Sequence, residues 1–208
     1  MKPLIVINLK TYKNGKQVLK LAKIIEKIDK NIIIGVQATD IYELKNKTEL
    51  KIYSQHVDFF EPGRNTGFII PESVKKDGAI GTFLNHSEHK LNFNVLKKTI
   101  LRCKNLKLKT LVFAGSLKEA KKIKNLKPDY LVYEPPELVA GNISVSTAKP
   151  DLIKNISKSL NYPFLVGAGI KTNNDLKIAM KLGASGIALS SAITTAKNPE
   201  KVLRELIA

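Results

Sequence analysis

The chain has 208 residues, 43% of them apolar, and 35 Lys+Arg against 18 Asp+Glu give a formal net charge of +17. That apolar content excludes a disordered chain, and the length suits one domain, residues 1–208, around one core. Cys103 is the single cysteine, so no internal disulfide framework can form, which fits a reducing compartment.

Eight short runs rich in Ile, Val and Leu recur along the chain: Leu4–Ile7, Ile32–Val36, Ile52–Ser54, Ile80–Leu84, Thr110–Ala114, Tyr130–Tyr133, Phe164–Val166 and Gly186–Leu189. They mostly do not alternate polar with apolar residues, which marks strands buried on both faces, the habit of parallel sheets. None approaches the roughly 18 residues a membrane-spanning helix needs. The N-terminal residues lack the apolar stretch and small-residue cleavage site of a secretory signal. The expectation is a cytoplasmic protein with no membrane partner.

Helical patterns lie between the runs. Val18, Leu21, Ile25 and Ile28 step along one helix face, as do Phe93, Leu96, Ile100 and Cys103 behind a candidate cap at Asn92, and Leu117, Ala120 and Ile123. Thr172 and Asp175 have the spacing of a capping box, Gly183 stands where that helix should stop, and Pro199 stands where a last helix should start. Eight strand–helix units in this length leave about 26 residues each, near the shortest such a crossover allows. The predicted fold is α/β: a single-domain (β/α)8 barrel with a closed parallel sheet. Residues 61–72, with Pro62, Gly63, Gly67 and Pro71, form the most loop-like long stretch.

The positive charge is mostly lysine, with Arg64, Arg102 and Arg204 the only arginines. Residues 1–30 and 95–127 hold most of the excess. A nucleic-acid binder would favour Arg for base readout and interleave aromatics. Here aromatics are 6% of the chain and do not interleave with the lysines. The lysines therefore read as solvated helix faces, without a nucleic-acid partner, whose field would attract an anionic metabolite.

In such a barrel the active site lies at the C-terminal ends of the strands. There the chain places Asn8 and Lys10, Gln37, Gln55, Asn85-His86-Ser87-Glu88, Gly115-Ser116, Glu134, Gly167-Ala168-Gly169, and Ser190-Ser191. Glu134 stands beside two prolines at a strand end, where partial drying raises a carboxylate toward the range useful to a general base. His86 follows strand 4 and precedes a helical pattern, where a helix N-terminus would favour the neutral ring. Lys10 could face a phosphate or an oxyanion, and its spacing from Asn8 puts both side chains on one side of an extended chain. The small-residue turns after strands 7 and 8 are positions where backbone amides hold phosphate. Cys103 falls on an apolar helix stripe. Three scattered histidines (His56, His86 and His89) and one cysteine build no zinc site, and no Walker-type or dinucleotide-binding glycine motif is present.

Ile7-Asn8-Leu9-Lys10-Thr11-Tyr12, Asn85-His86-Ser87-Glu88, Tyr133-Glu134-Pro135-Pro136-Glu137-Leu138 and Val166-Gly167-Ala168-Gly169-Ile170 together resemble the triosephosphate isomerase family, its shorter archaeal-type members most of all. The order and spacing agree over nearly the whole chain. The resemblance implies interconversion of dihydroxyacetone phosphate and glyceraldehyde 3-phosphate through an enediolate, in glycolysis and gluconeogenesis. Glu134 would move the carbon-bound proton. A neutral His86 would polarise the carbonyl, and Lys10 would stabilise negative charge. Asn8 would position Lys10 and the reacting oxygens, Glu88 would stand beside Lys10, and Asn8, Leu9 and Lys10 would contact the substrate. Residues 135–142 would form a lid. Its backbone at Val139 and Ala140, with the amides of Gly169, Ser190 and Ser191, would hold the phosphate. No cofactor and no metal are implied.

The resemblance also implies a homo-oligomer, a tetramer before a dimer, with residues 61–72 as the contact loop and Thr66-Gly67 reaching toward a partner's site. The chain departs from the family's pattern in places. Val139-Ala140-Gly141-Asn142 stands where Ile-Gly-Thr-Gly is more usual, and His89 stands where many members have Arg. Val112-Phe113-Ala114 lacks a cysteine common near that point, and Ser190-Ser191 replaces a glycine pair of the longer forms. A different phosphate-binding barrel enzyme would share the turns after strands 7 and 8 but not the set of Asn8, Lys10, His86 and Glu134. A barrel retained only as a scaffold would have no need of that set.

Overall fold

In the computed structural model, residues 2–135 and 150–208 are described. Its strands are β1 (Leu4–Asn8), β2 (Ile33–Val36), β3 (Lys51–Ser54), β4 (Gly81–Leu84), β5 (Lys109–Ala114), β6 (Tyr130–Tyr133), β7 (Phe164–Val166) and β8 (Gly186–Leu189). Each pairs in parallel with the next. Strand β8 then returns to β1, with Leu4 opposite Gly186 and Ile7 opposite Leu189, so the sheet closes into a barrel.

Successive strand residues point to opposite faces of a sheet. In a closed barrel one face is the interior and the other is covered by helices, so both must be apolar. Val6, Ile33, Tyr53, Phe83, Leu111, Phe113, Val132, Leu165 and Ala188 form the interior cluster. Ile5, Ile7, Ile34, Val36, Ile52, Leu84, Val112, Leu131, Val166 and Ile187 belong to the larger cluster under the helices. This is why the runs do not alternate. Aromatic rings fill the interior, with the Phe83 ring 6.0 Å from Tyr53 and 5.6 Å from Phe113 between centroids. Glycines make the room: a Cβ at Gly35 would lie 1.9 Å from the Phe83 ring, and one at Gly81 would lie 2.3 Å from the Tyr53 ring.

Among the described residues the helices are α1 (Lys16–Ile28), α2 (Ala38–Lys47), α3 (Pro71–Lys76), α4 (Phe93–Asn105), α5 (Leu117–Lys124), α6 (Pro150–Leu160), α7 (Asn173–Lys181), α8 (Ser191–Thr194) and α9 (Pro199–Ile207). The expected stripes are buried on α1, where Val18, Leu21, Ala22 and Ile25 face the barrel. Lys16, Lys20, Lys23 and Lys27 face outward. Asn92 caps α4 by accepting from the Asn94 amide, and Thr172 and Asp175 form a reciprocal capping box on α7. Gly183 follows α7 at φ +98°, a conformation glycine adopts without strain. Cys103 is buried, and that burial pushes its thiol up to about 12, so it is inert core.

The third crossover holds only the six-residue α3, since residues 61–70 are irregular, as their loop-like sequence implies, until Pro71 supplies a first helical position. One expectation changes. Phe93 is 43% exposed although it continues the apolar stripe of α4. It is the first residue of that helix and overhangs the wall that buries Leu96, Ile100 and Cys103.

The β8–β1 seam depends on Gly186, since a Cβ there would lie 2.0 Å from the Leu4 carbonyl oxygen, a backbone atom that cannot rotate away. Gly186→Ala is expected to lower unfolding free energy by about 3 kcal/mol or more. Urea unfolding followed by circular dichroism measures this. An unchanged midpoint would show that the seam yields freely.

Candidate functional site

The rim at the strand C-termini gathers the candidates. Asn8, Lys10, His86, Glu134, Gly169, Ser190 and Ser191 line one pocket, floored by Val6, Phe113 and Ala188 and flanked by Tyr12 and Lys171. Asn8 and Glu134 lie two residues beyond Val6 and Val132, so the strand's alternation carries them over the barrel mouth.

The same alternation corrects the expectation for Leu9. Its side chain is 1% exposed within the outer cluster, and its amide donates to the Gly35 carbonyl at 2.9 Å. It does not line the pocket. Lys10 reaches the pocket by a turn rather than an extended pleat: β1 ends at Asn8, and Lys10 adopts φ +47°. The Lys10 amide donates to Asn8 Oδ1 at 2.9 Å. Gln55 Nε2 donates to the Lys10 carbonyl at 2.9 Å and to Asn8 Oδ1 at 3.2 Å. A left-handed conformation is costly for lysine and persists only where its surroundings hold it. The Lys10 ammonium meets Glu88 Oε1 at 2.6 Å, and the glutamate is the more exposed partner. Glu88 thus stands beside Lys10, as expected.

The His86 ring is buried, and its Nδ1 accepts from the Glu88 amide at 3.2 Å. A backbone N–H can only donate, so in the neutral ring the proton sits on Nε2. Burial lowers the His86 pKa to about 4, against an opposing pull from Glu88 and with help from Lys10 and Lys90. The cause is not the expected helix N-terminus. Helix α4 begins only at Phe93, and residues 86–89 form a turn closed by the His89 amide on the His86 carbonyl at 2.9 Å. The Phe113 ring packs edge-to-face against the imidazole at 4.7 Å between centroids.

Glu134 Oε2 lies 3.4 Å from His86 Nε2 and is buried with no hydrogen-bond partner among the described residues. Burial raises its pKa to about 7, with Lys10 pulling down and Glu88 pushing up. The expectation from its dry strand-end position therefore stands. Gly167 makes room for it, since a Cβ there would lie 3.2 Å from Glu134 Oε1. After β7 the backbone turns with Ala168 at φ +69° and Gly169 at φ +68°. After β8, Ser190 stands at the N-cap position of α8 without a side-chain capping bond, and the first amides of that helix have no partner within it. Val139 and Ala140, and the lid from residue 136 onward, lie outside the described residues.

Motif reading alone gave no role to Gln55, Tyr12, Lys171 or Phe113. Gln55 carried a signal, because it lies two residues beyond the interior residue Tyr53. His89, standing where an arginine is more usual, stacks on His56 at 4.2 Å. Among the described residues no group of three or more His, Cys, Asp or Glu could hold a metal ion, and no helix is long and apolar enough to cross a membrane.

A closed (β/α)8 barrel whose strand C-termini converge a buried carboxylate, a neutral imidazole and an ammonium on one pocket is the architecture of a barrel enzyme. The family model described as triosephosphate isomerase matches residues 3–207. The triosephosphate isomerase of Saccharolobus solfataricus is 42% identical, covering 99% of this chain and 95% of its own length. That of Methanocaldococcus jannaschii is 40% identical over 98% of each chain, and that of Methanobacterium bryantii 35% identical over 99% of this chain and 96% of its own. The chain belongs to the triosephosphate isomerase family.

The raised Glu134 pKa has a thermodynamic sign. Between pH 4.5 and 7 the folded state holds a proton that the unfolded chain releases, so stability falls as pH rises through that window. Glu134→Gln removes this cost. Its stability advantage is expected to vanish below pH 4.5 and to reach roughly 3 kcal/mol above pH 7. Unfolding curves at pH 4, 6 and 8 check it, and a difference independent of pH would contradict the raised pKa.

Proposed function

We propose that this chain interconverts dihydroxyacetone phosphate and D-glyceraldehyde 3-phosphate by proton transfer through an enediolate. The observation that carries the reading is the buried, unpartnered Glu134 oxygen 3.4 Å from the protonated nitrogen of a neutral His86. The names of the relatives support the substrate.

Glu134 removes the proton from the carbon beside the carbonyl, and the C–H electron pair becomes the enediolate double bond as charge moves onto oxygen. Burial makes Glu134 basic enough for this near neutral pH. His86 Nε2–H donates to the carbonyl oxygen, and the Lys10 ammonium stabilises the developing charge. The neutral ring gives its Nε2 proton to one oxygen and recovers a proton at Nε2 from the other, so it ends neutral. Glu134 then returns its proton to the neighbouring carbon, which completes the isomerisation. Asn8 holds Lys10 in its turned conformation. Glu88 partners the ammonium.

The phosphate sits on the amides of Gly169, Ser190 and Ser191, with Val139 and Ala140 contributing from the lid, and closure of the lid excludes water. The net charge of +17 draws the dianionic substrate inward. The chain works as one domain in the cytoplasm, in glycolysis and gluconeogenesis. It assembles as a homotetramer with residues 61–72 at a subunit contact.

A coupled assay on glyceraldehyde 3-phosphate tests the chemistry. Glu134→Ala is expected to lower kcat by about 1,000-fold or more, and His86→Gln by about 100-fold. A Glu134→Ala enzyme of undiminished activity would overturn the assignment of the base. The acid limb of kcat/KM is expected near pH 7, set by Glu134, and should disappear with the base. Light scattering at micromolar concentration should give the mass of four chains. A monomer would end the tetramer proposal.

A further inference from the structure

Asn85 and Glu119 lie outside the substrate pocket, yet their side chains hold the segment that carries His86. Asn85 directly follows β4, at φ +60°, and is 2% exposed. Its Nδ2 donates to the Phe113 carbonyl on β5 at 2.9 Å and to Glu119 Oε1 on α5 at 2.8 Å. Its Oδ1 accepts from the Leu91 amide at 3.0 Å. The amide group thus ties both ends of the turn over residues 86–90 to the neighbouring strand and helix.

Glu119 is the hub of this arrangement. Its Oε2 accepts from the Gly115 amide at 2.7 Å, and Lys90 Nζ lies 2.9 and 3.1 Å from its two oxygens. Ser116 and Glu119 have the spacing of a capping box, and the Ser116 hydroxyl does accept from the Glu119 amide at 3.1 Å. The glutamate does not complete the box. It reaches past the cap to Gly115 and across to Asn85 and Lys90, so a residue placed to stabilise its own helix instead joins the loop after β4 to the loop after β5. The joined parts are the backbone turn that sets His86 Nδ1 as an acceptor and the Phe113 segment whose ring packs on the imidazole.

We infer that Glu119 is a positioning residue for the isomerase chemistry, acting through Asn85 to hold the β4 loop so that His86 presents its Nε2–H to the pocket. The inference rests on the reading of His86 given above. Glu119 needs two acceptor oxygens, because donors from Asn85, Gly115 and Lys90 converge on it. Glu119→Gln keeps the size but turns an NH2 group toward one of those donors. Asn85→Gly keeps the backbone, since glycine accepts φ +60° without strain, and removes the side-chain clamp.

The test compares Glu119→Gln, Asn85→Gly and the double variant. In both single variants kcat should fall about tenfold or more with KM changed less than about twofold, because misplacement of a catalytic group is felt in the transition state. The double variant should lose no more than the worse single one, as expected of groups acting in one chain of contacts. Nitrogen-15 spectra of labelled histidine should show protonated Nε2 and unprotonated Nδ1 at His86 in the wild type, and a mixture of tautomers in Glu119→Gln. A purely structural role would lower Tm while leaving the tautomer and the kcat of the folded fraction at wild-type values, and that result would overturn the inference. Losses that multiply in the double variant would overturn the route through Asn85. Should Glu119→Gln not fold, Asn85→Gly carries both readouts. The tautomer signal needs no turnover, so a wild type inactive on triose phosphates would refute the functional reading while the histidine spectra still judged the clamp.

Discussion

A parallel sheet that closes on itself has no edge, and every strand residue must then face either a packed interior or a shell of helices. Each strand is only three to six residues long, so a handful of side chains settles the geometry of the whole barrel. Aromatic rings at Tyr53, Phe83 and Phe113 occupy the interior, and Gly35 and Gly81 yield the space for them. The barrel is therefore a filled core whose upper surface, bearing Phe113, becomes the floor of the pocket. That packing supports the pocket from below, while polar contacts hold the loops above it.

Burial separates the protonation behaviour of two groups a few ångströms apart. It pushes Glu134 up to about 7 and His86 down to about 4, because desolvation penalises whichever form is charged. Near neutral pH the result is a carboxylate ready to take a proton beside an imidazole that still holds one. Were both fully ionised they would attract and satisfy each other, and neither would serve a substrate. The Lys10–Glu88 pair lies at the wetter side of the pocket, where an exposed carboxylate can yield to an anionic ligand at small cost.

Lys10 and His86 stand on turns at the barrel mouth, and each turn is braced by a neighbour from another strand–helix unit. Gln55 bonds the backbone that carries Lys10, and Asn85 with Glu119 braces the turn that carries His86. Gly167 leaves the gap into which Glu134 packs. Left-handed backbone occurs at Lys10, Asn85 and Ala168 beside these places, and also at Lys107, Lys127 and Asn161 away from the pocket. At Lys10 and Asn85, contacts from neighbouring units hold it.

Much of this was legible before any coordinates. Non-alternating runs identified the eight strands within a residue or two, and caps at Asn92 and Thr172 marked helix starts, because both signals arise between residues close in the chain. The period of two also carried Asn8 and Glu134 to the mouth, and it would have excluded Leu9 had it been followed past the strand end. The turned backbone of Lys10, the tautomer of His86 and the reach of Glu119 beyond its own helix cap were not legible. The sequence by itself determined the alternation of strands and helices, the polar groups on the strand ends and the family pattern they compose. Only the tertiary structure decided which of those groups touch, which are dry and which way each ring is protonated, because these depend on distances and burial created when strands far apart in the chain close into one barrel.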